Sequence, residues 1–427
     1  MGVTEGSGAD RPLRTFAQWT ALGALVGAAC GVASAAFLAL LGLATDFREA
    51  HRGIVYALPL AGLGIGAIYE RWGTPIRGGN NLVIDTIHDG SAQLPLRMAP
   101  MVLVGTVLTH LFGGSAGREG TAVQMGASLA DAIAHRFGAR RSLRRIIIAA
   151  GIAGGFGSVF GTPLAGLVFG LEVLAIGRLE YEALVPALVA SIVGDRVTRG
   201  LGIVHTVYPT LSPVAFSAAL SGKLLLMASA MALATVAFIE LTHFIKAQAE
   251  RRLPRLPLRM LVGGAAVVVL WRLVGSDDYL GLGVPTILRA FVDPRLPAYA
   301  FAAKILFTAV TLGCGFLGGE VTPLFFIGAT LGNLVARLLG IPLELGAALG
   351  LAAVFGAAAN TPLALSLMVV ELVGVSALPY VVIVAVATYL LTGHRGIYPS
   401  QRLHRKKHGP ALVTPVALRD YRSDQNT

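Results

Sequence analysis

Residues 113–126 read Gly113-Gly-Ser-Ala-Gly117-Arg118-Glu119-Gly120-Thr121-Ala-Val-Gln-Met-Gly126, a charged pair embedded in glycine and flanked by apolar sequence. The stretch leading into it, Met98 to Gly117, holds no Asp, Glu, Lys or Arg. That run is long enough to cross a hydrocarbon core of about 30 Å. An ionisable residue near such depth costs roughly 2.5–3.5 kcal/mol on insertion, so it marks an ion or proton pathway. The glycines let a helix break there and turn its amide groups inward. A site of this kind suits both an anion and a proton.

The rest of the chain fits that reading. Hydrophobic residues make up 55% and charged residues only 13%, too little charge for the surface of a soluble protein of 427 residues. Segments 15–45, 53–69, 146–171, 201–222, 224–239, 321–336, 345–370 and 372–394 also lack Asp, Glu, Lys and Arg. Several are long enough to span a bilayer, and the shorter ones, rich in Gly and Pro, predict tilted or broken helices. Abundant glycine (53 residues) lets helices approach closely. The net charge of +11 sits in short junctions (Arg136, Arg140, Arg141, Arg144, Arg145; Arg251, Arg252, Arg255, Arg259) and in the tail (Arg402, Arg405, Lys406, Lys407). Such placement follows the positive-inside rule and is no nucleic-acid signature. With Arg11 and Arg14 before the first span, it predicts that both termini are cytoplasmic. The first apolar run is too long for the core of a cleavable signal. Cys30 and Cys314 both lie in apolar stretches and read as packing residues, not a disulfide.

The chain also repeats itself. Phe156-Gly-Ser-Val-Phe-Gly-Thr162-Pro163-Leu-Ala matches Phe355-Gly-Ala-Ala-Ala-Asn-Thr361-Pro362-Leu-Ala, and Glu172 and Glu371 follow at the same offset, 361 − 162 = 371 − 172 = 199. Upstream, Gly126-Ala-Ser-Leu and Gly328-Ala-Thr-Leu repeat at 328 − 126 = 202, each after a glycine-rich segment holding an acid, Glu119 or Glu320. Three matches in order predict an internal duplication. Its boundaries are an N-terminal segment 1–14, membrane repeats 15–210 and 211–400, and a basic cytoplasmic tail 401–427. The tail is too short for an ordinary regulatory domain and is expected to touch only headgroups or solvent. In transporters such repeats are commonly inverted, with substrate held at the midplane by discontinuous helices. Converging helix N-termini favour an anion over a cation, and segments 78–82, 113–121, 313–323 and 360–362 are the natural breaks.

These motifs resemble the CLC family of chloride channels and anion/proton antiporters over about residues 15–400. Gly117-Arg118-Glu119-Gly120 looks like the family's gating-glutamate motif, with Thr121 where Pro is usual. Gly161-Thr-Pro-Leu-Ala-Gly166 also matches, and Tyr398 falls where the family places an anion-coordinating tyrosine. The implied fold is all-α, an inverted repeat of tilted and broken helices, forming a homodimer with one pore per subunit. Two departures resemble the CLC-F subgroup of bacterial fluoride/proton antiporters. Gly78-Gly79-Asn80-Asn81-Leu82 replaces Gly-Ser-Gly-Ile-Pro, and Gly319-Glu320-Val321-Thr322-Pro323 replaces Gly-x-Phe-x-Pro. A third concerns protons. Val173 stands where chloride exchangers carry an internal proton glutamate, so either coupling fails or another acid such as Glu320 substitutes.

The resemblance implies roles. Glu119 is the gate that competes with the anion and carries the proton; its pairing with Arg118 is discounted because neighbours on a helix do not face each other. Arg118 is readable equally as structural or as a charge that biases the site. Gly117, Gly120 and Thr121 complete the anion-binding motif. Asn80 and Asn81 read either as a turn or cap or as neutral donors for a small, strongly accepting anion. Glu320 and Thr322 read as a capping pair or as a proton carrier and a hydroxyl donor. Tyr398 reads as an interfacial anchor or an anion ligand. Glu172 and Glu371 are expected at helix ends or packing surfaces, and Phe325 and Phe326 in the core. The expected partners are fluoride, protons, the lipid bilayer of the bacterial inner membrane and a second copy of the chain, with no metal and no cofactor.

Two other readings compete. Gly113-Gly-Ser115-Ala-Gly117 fits the Gly-x-Ser-x-Gly of serine hydrolases, with His110 nearby, but the match is built from glycines and lacks a strand–turn–helix context. No His-Glu-x-x-His occurs, and the chain is not expected to be an enzyme. Within transport, the alternative is a chloride/proton exchanger or a passive anion channel.

Overall fold

The computed structural model of the chain describes residues 10–90 and 93–425. The N-terminal segment is therefore seen from Asp10 onward, and residues 1–9 lie outside the described residues. Helix α1 (Asp10–Ala50) is followed by α2 (Leu58–Trp72), α3 (Asn80–Asp89), α4 (Met98–Leu111), α5 (Glu119–Arg136), α6 (Arg141–Phe160), α7 (Pro163–Glu172) and α8 (Leu184–Gly200). The same series then recurs as α9 (Ala218–Arg252), α10 (Leu256–Val274), α11 (Val284–Val292), α12 (Ala300–Gly313), α13 (Val321–Leu339), α14 (Leu343–Ala359), α15 (Pro362–Val373) and α16 (Leu378–Leu391). Among the described residues six helices are long and apolar enough to cross a membrane, and the others are shorter.

The repeated motifs take equivalent places. Gly126 on α5 packs against Gly151 on α6, and Gly328 on α13 against Gly350 on α14. A Cβ on Gly126 would stand 2.3 Å from the Gly151 carbonyl, and one on Gly328 2.1 Å from that of Gly350. Pro163 and Pro362 open α7 and α15, where a missing N–H costs nothing and the fixed φ favours the turn.

Glu172 and Glu371 lock the halves together. Glu172, at the end of α7, accepts from the N–H groups of Leu363 and Ala364 (3.2 and 2.8 Å) at the start of α15. Glu371, near the end of α15, accepts from those of Leu164 and Ala165 (3.0 and 2.7 Å) at the start of α7. Each helix ends where the other begins, so α7 and α15 are antiparallel and the repeats are inverted. Each carboxylate satisfies free amides at the positive end of the other helix.

Helix α1 runs parallel to α8. Gly23, Gly27 and Gly31 face Pro186, Ala190 and Gly194 in step, each near enough that a Cβ would touch backbone. Phe325 and Phe326 are fully buried: Phe325 packs on Phe160 and Phe355, and Phe326 on Tyr279. Cys30 and Cys314 are buried and free.

The tail departs from expectation. Strand β1 (Ala175–Ile176) pairs in parallel with β2 (Arg402–Arg405), which pairs antiparallel with β3 (Ala411–Ala417), and α17 (Leu418–Gln425) follows. Ile176, Leu403 and Leu418 form a small apolar cluster beneath them. Leu412, Val416 and Tyr421 pack against it from the tail, scattered apolar positions that a reading by charge alone passes over. The tail is thus a folded cover on the membrane domain, not a strand in solvent or headgroups.

Candidate anion and proton site

Two helices begin at one point. α5 starts at Glu119 and α13 at Val321, and the glycines ahead of them pair in an isolated antiparallel bridge. Gly117 donates to the Gly319 carbonyl at 2.6 Å, and Gly319 to that of Gly117 at 2.8 Å. A Cβ on Gly319 would stand 2.6 Å from the Gly120 nitrogen, so the crossing closes only on hydrogen. The sequence names Gly319 only as the start of the Gly319–Pro323 motif and not as a site residue, although the offset relating Gly126 to Gly328 also relates Gly117 to Gly319. Helix starts carry amides without intrahelical acceptors and the positive end of the helix dipole. Meeting head to head, they concentrate donors.

Those donors hold Glu119, whose side chain is fully buried. Its Oε1 accepts from the Thr322 hydroxyl at 2.5 Å, and its Oε2 from the backbone N–H groups of Thr322 (3.2 Å) and Arg118 (3.1 Å). Arg118 Nε lies 3.4 Å from Oε1. The expectation that Arg118 and Glu119 do not face each other is wrong. Arg118 precedes the first residue of α5, and the spacing rule for helix neighbours holds only inside the helix.

The other residues named from sequence divide. Asn80 opens α3, and its Nδ2 and Glu320 Oε2 both lie within 4 Å of where a Cβ on Gly120 would stand. Asn80 Oδ1 and Glu320 Oε2 are buried without a hydrogen-bond partner. Tyr398 is buried and lies within electrostatic range of Glu320 and Glu119. Asn81 turns elsewhere: its carboxamide oxygen accepts from Ser400 N–H at 3.1 Å. Thr121 also turns away, pairing its hydroxyl with that of Thr106 on α4 at 2.7 Å.

Behind the glycine loop, Ser115 Oγ pairs with Thr308 Oγ1 at 3.0 Å. Both ring nitrogens of His110 face backbone carbonyls, of Thr106 (2.8 Å) and Ala116 (2.9 Å). Serine and histidine therefore brace the loop separately and do not form a nucleophile–base pair.

A family model described as voltage gated chloride channel matches residues 61–393. The chain belongs to this family, the CLC proteins. It is 47% identical over 411 residues to a chloride/fluoride channel protein of Pseudomonas syringae pv. tomato, covering 95% of this CLC chain and 91% of that protein. A crystal structure of a CLC-type fluoride/proton antiporter is similar with a TM-score of 0.88 at 34% identity, over 93% of this chain and all of that one. A slow cyanobacterial Cl−/H+ antiporter reaches a TM-score of 0.77 at 18% identity, over 88% of this chain and 94% of that one, a likeness of fold alone. The chain is accordingly a multi-pass membrane protein with the CLC fold.

Proposed function

We propose that the protein exports fluoride in exchange for protons. One observation carries this reading: the Glu119 carboxylate occupies a cradle of two backbone N–H groups and one hydroxyl where two helix dipoles converge. An anion and a carboxylate cannot hold those donors together. Fluoride that takes the cradle expels Glu119, which then lacks donors and binds a proton. Return of the carboxylate requires release of that proton and of the anion. The cycle couples opposite flows through competition for one place, without a covalent step. Hydrogen fluoride enters cells as a neutral acid and dissociates in the more alkaline cytoplasm, so exchange against incoming protons reverses the trapping.

The small cradle favours fluoride over chloride. A hydroxyl and amides at hydrogen-bond distance match a compact, strongly accepting ion, and the Asn80 amide adds a donor without charge. The orphan Oε2 of Glu320 is a buried acceptor with no donor, and a proton on that carboxyl would remove the cost of a buried, unpaired charge. Glu320 is therefore the second proton carrier, in place of the acid missing at Val173. The relative named a chloride/fluoride channel and the structure described as a fluoride/proton antiporter support the same substrate.

Every residue of the cradle comes from one chain, which supports one pore in each subunit of a homodimer. Arg141 donates to the His88 carbonyl, and Arg402 pairs with Asp89. The basic α5–α6 junction and the tail thus share one face, and the positive-inside rule assigns that face to the cytoplasm. The chemistry at Ser115 and His110 supports a carrier and not an enzyme.

The test is efflux from proteoliposomes loaded with fluoride or with chloride, with external pH followed at the same time. Fluoride efflux with proton uptake and little chloride movement is expected, and Glu119→Ala should abolish the fixed proton-to-fluoride ratio. Chloride moving as fast as fluoride, or Glu119→Ala still moving both ions in strict proportion, overturns the assignment.

A further inference from the structure

α3 brings Asn80 to the site, yet it is ten residues long, enters from Gly79 at φ +54° and leaves into Gly90 at φ +62°. Glycines on both sides leave its position to be set from outside. One face, Val83, Ile84 and Ile87, is buried in the core. The opposite face, Asn81, Asp85 and Asp89, recurs every four residues and is tied to the chain just after Tyr398. Asn81 accepts from Ser400 N–H, and Asp85 Oδ2 from the fully buried Ser400 hydroxyl at 2.9 Å. Arg419, at the start of α17, donates to Asp85 Oδ2 at 3.2 Å and to Ser400 Oγ at 3.1 Å, and its own N–H bonds the Pro399 carbonyl. Arg402 closes the row on Asp89 at 2.7 Å.

We propose that this Asp85–Ser400–Arg419 clamp makes the C-terminal segment a working part of the anion site, holding Asn80 on α3 in register with Tyr398. Asp85 and Arg419 are positioning residues: they touch neither anion nor proton. Both site elements hang on the same clamp, Asn80 five residues before Asp85 and Tyr398 two residues before Ser400. Releasing it widens the gap between two ligands of a very small ion. The inference rests on the fluoride reading, because a small anion is the most sensitive to that spacing.

Arg422 supplies the control. It fastens the same tail to Glu240 on α9 at 2.7 Å and has no bond to α3. Fluoride transport by reconstituted full-length protein should show a KM raised about three- to fivefold by Arg419→Ala, the scale of an exposed ion pair. Asp85→Ala, which also strips the buried serine of its acceptor, should raise it about tenfold. Maximal rate and melting temperature should change little for Arg419→Ala, Arg419→Lys should restore most of the affinity, and Arg422→Ala should leave KM unchanged. Equal KM shifts from Arg419→Ala and Arg422→Ala, or no shift from Arg419→Ala, overturn the clamp. Wild-type protein that prefers chloride overturns the fluoride reading instead, and the four variants then report on the clamp through the chloride KM.

Discussion

Thr322 serves Glu119 twice, through its hydroxyl and its backbone N–H. Thr322→Val keeps the shape and the N–H but removes the hydroxyl from both competitors, Glu119 and fluoride, so fluoride binding should weaken by less than the roughly tenfold worth of one good hydrogen bond to a charged group. Thr322→Ser should remain near wild type, as titration of fluoride-dependent transport would show. Thr121→Val should leave fluoride affinity untouched and lower stability by about 1 kcal/mol, because its hydroxyl is spent on Thr106. Both threonines follow an acid by two residues, which makes them look alike in sequence. The 202-residue offset separates them: it maps Gly117 onto Gly319 but Arg118, not Glu119, onto Glu320. Glu119 is the first residue of α5, whereas Glu320 stands one residue ahead of α13. One residue is about 100° around a helix, enough to aim Thr322 into the site and Thr121 behind it. Residue types were legible here, and rotation was not.

At the scale of elements, the crossed caps at Glu172 and Glu371 test whether the halves stabilise each other. Glu172→Ala or Glu371→Ala strands two helix-start amides and should lower stability by about 1–3 kcal/mol, read as unfolding in detergent, with fluoride KM unchanged. A lost anion affinity with intact stability would mean that the pair reaches the site. Of helix ends and packing surfaces, the two places the sequence offers for these acids, the structure puts both at helix ends, but each bonds the opposite half, roughly two hundred residues away, which no local spacing reveals. The tail carries a pH signature of its own. Lys407 Nζ and His408 Nε2 meet the Tyr389 and Leu390 carbonyls, each at 3.0 Å, at the unsatisfied end of α16. Burial, and after it Arg395, push the Lys407 ammonium down from 10.5 to about 7. Between those values the docked tail holds a neutral amine and the released tail a charged one. Docking therefore strengthens as pH rises through about 7 toward 10.5, and is weakest below 7. Hydrogen exchange of β2 and β3, corrected for intrinsic rates, should show more protection at pH 8 than at pH 6, and Lys407→Met should flatten the difference.

For the whole molecule, what remains is which face meets the cytoplasm, since that decides which side the tail and the basic junctions occupy. Inverted repeats look alike from both sides, so helix packing alone is silent and the asymmetry must come from charge. The start of α8 lies just after Glu180, which pairs with Arg145 in the basic α5–α6 junction. α1 runs parallel to α8, so its described N-terminal end faces the same way as that junction. Arg402 and Arg141 bring the tail to this face as well. Val413 on β3 is fully exposed, while Cys30 and Cys314 are buried, so the native thiols give no background in the folded protein. Val413→Cys should accordingly react with a membrane-impermeant maleimide in inside-out vesicles and stay silent in intact spheroplasts. Labelling from the outer side would turn the molecule over: the clamp, the folded tail and the basic junctions would then face away from the cytoplasm, against the charge distribution that orients every other part of the chain.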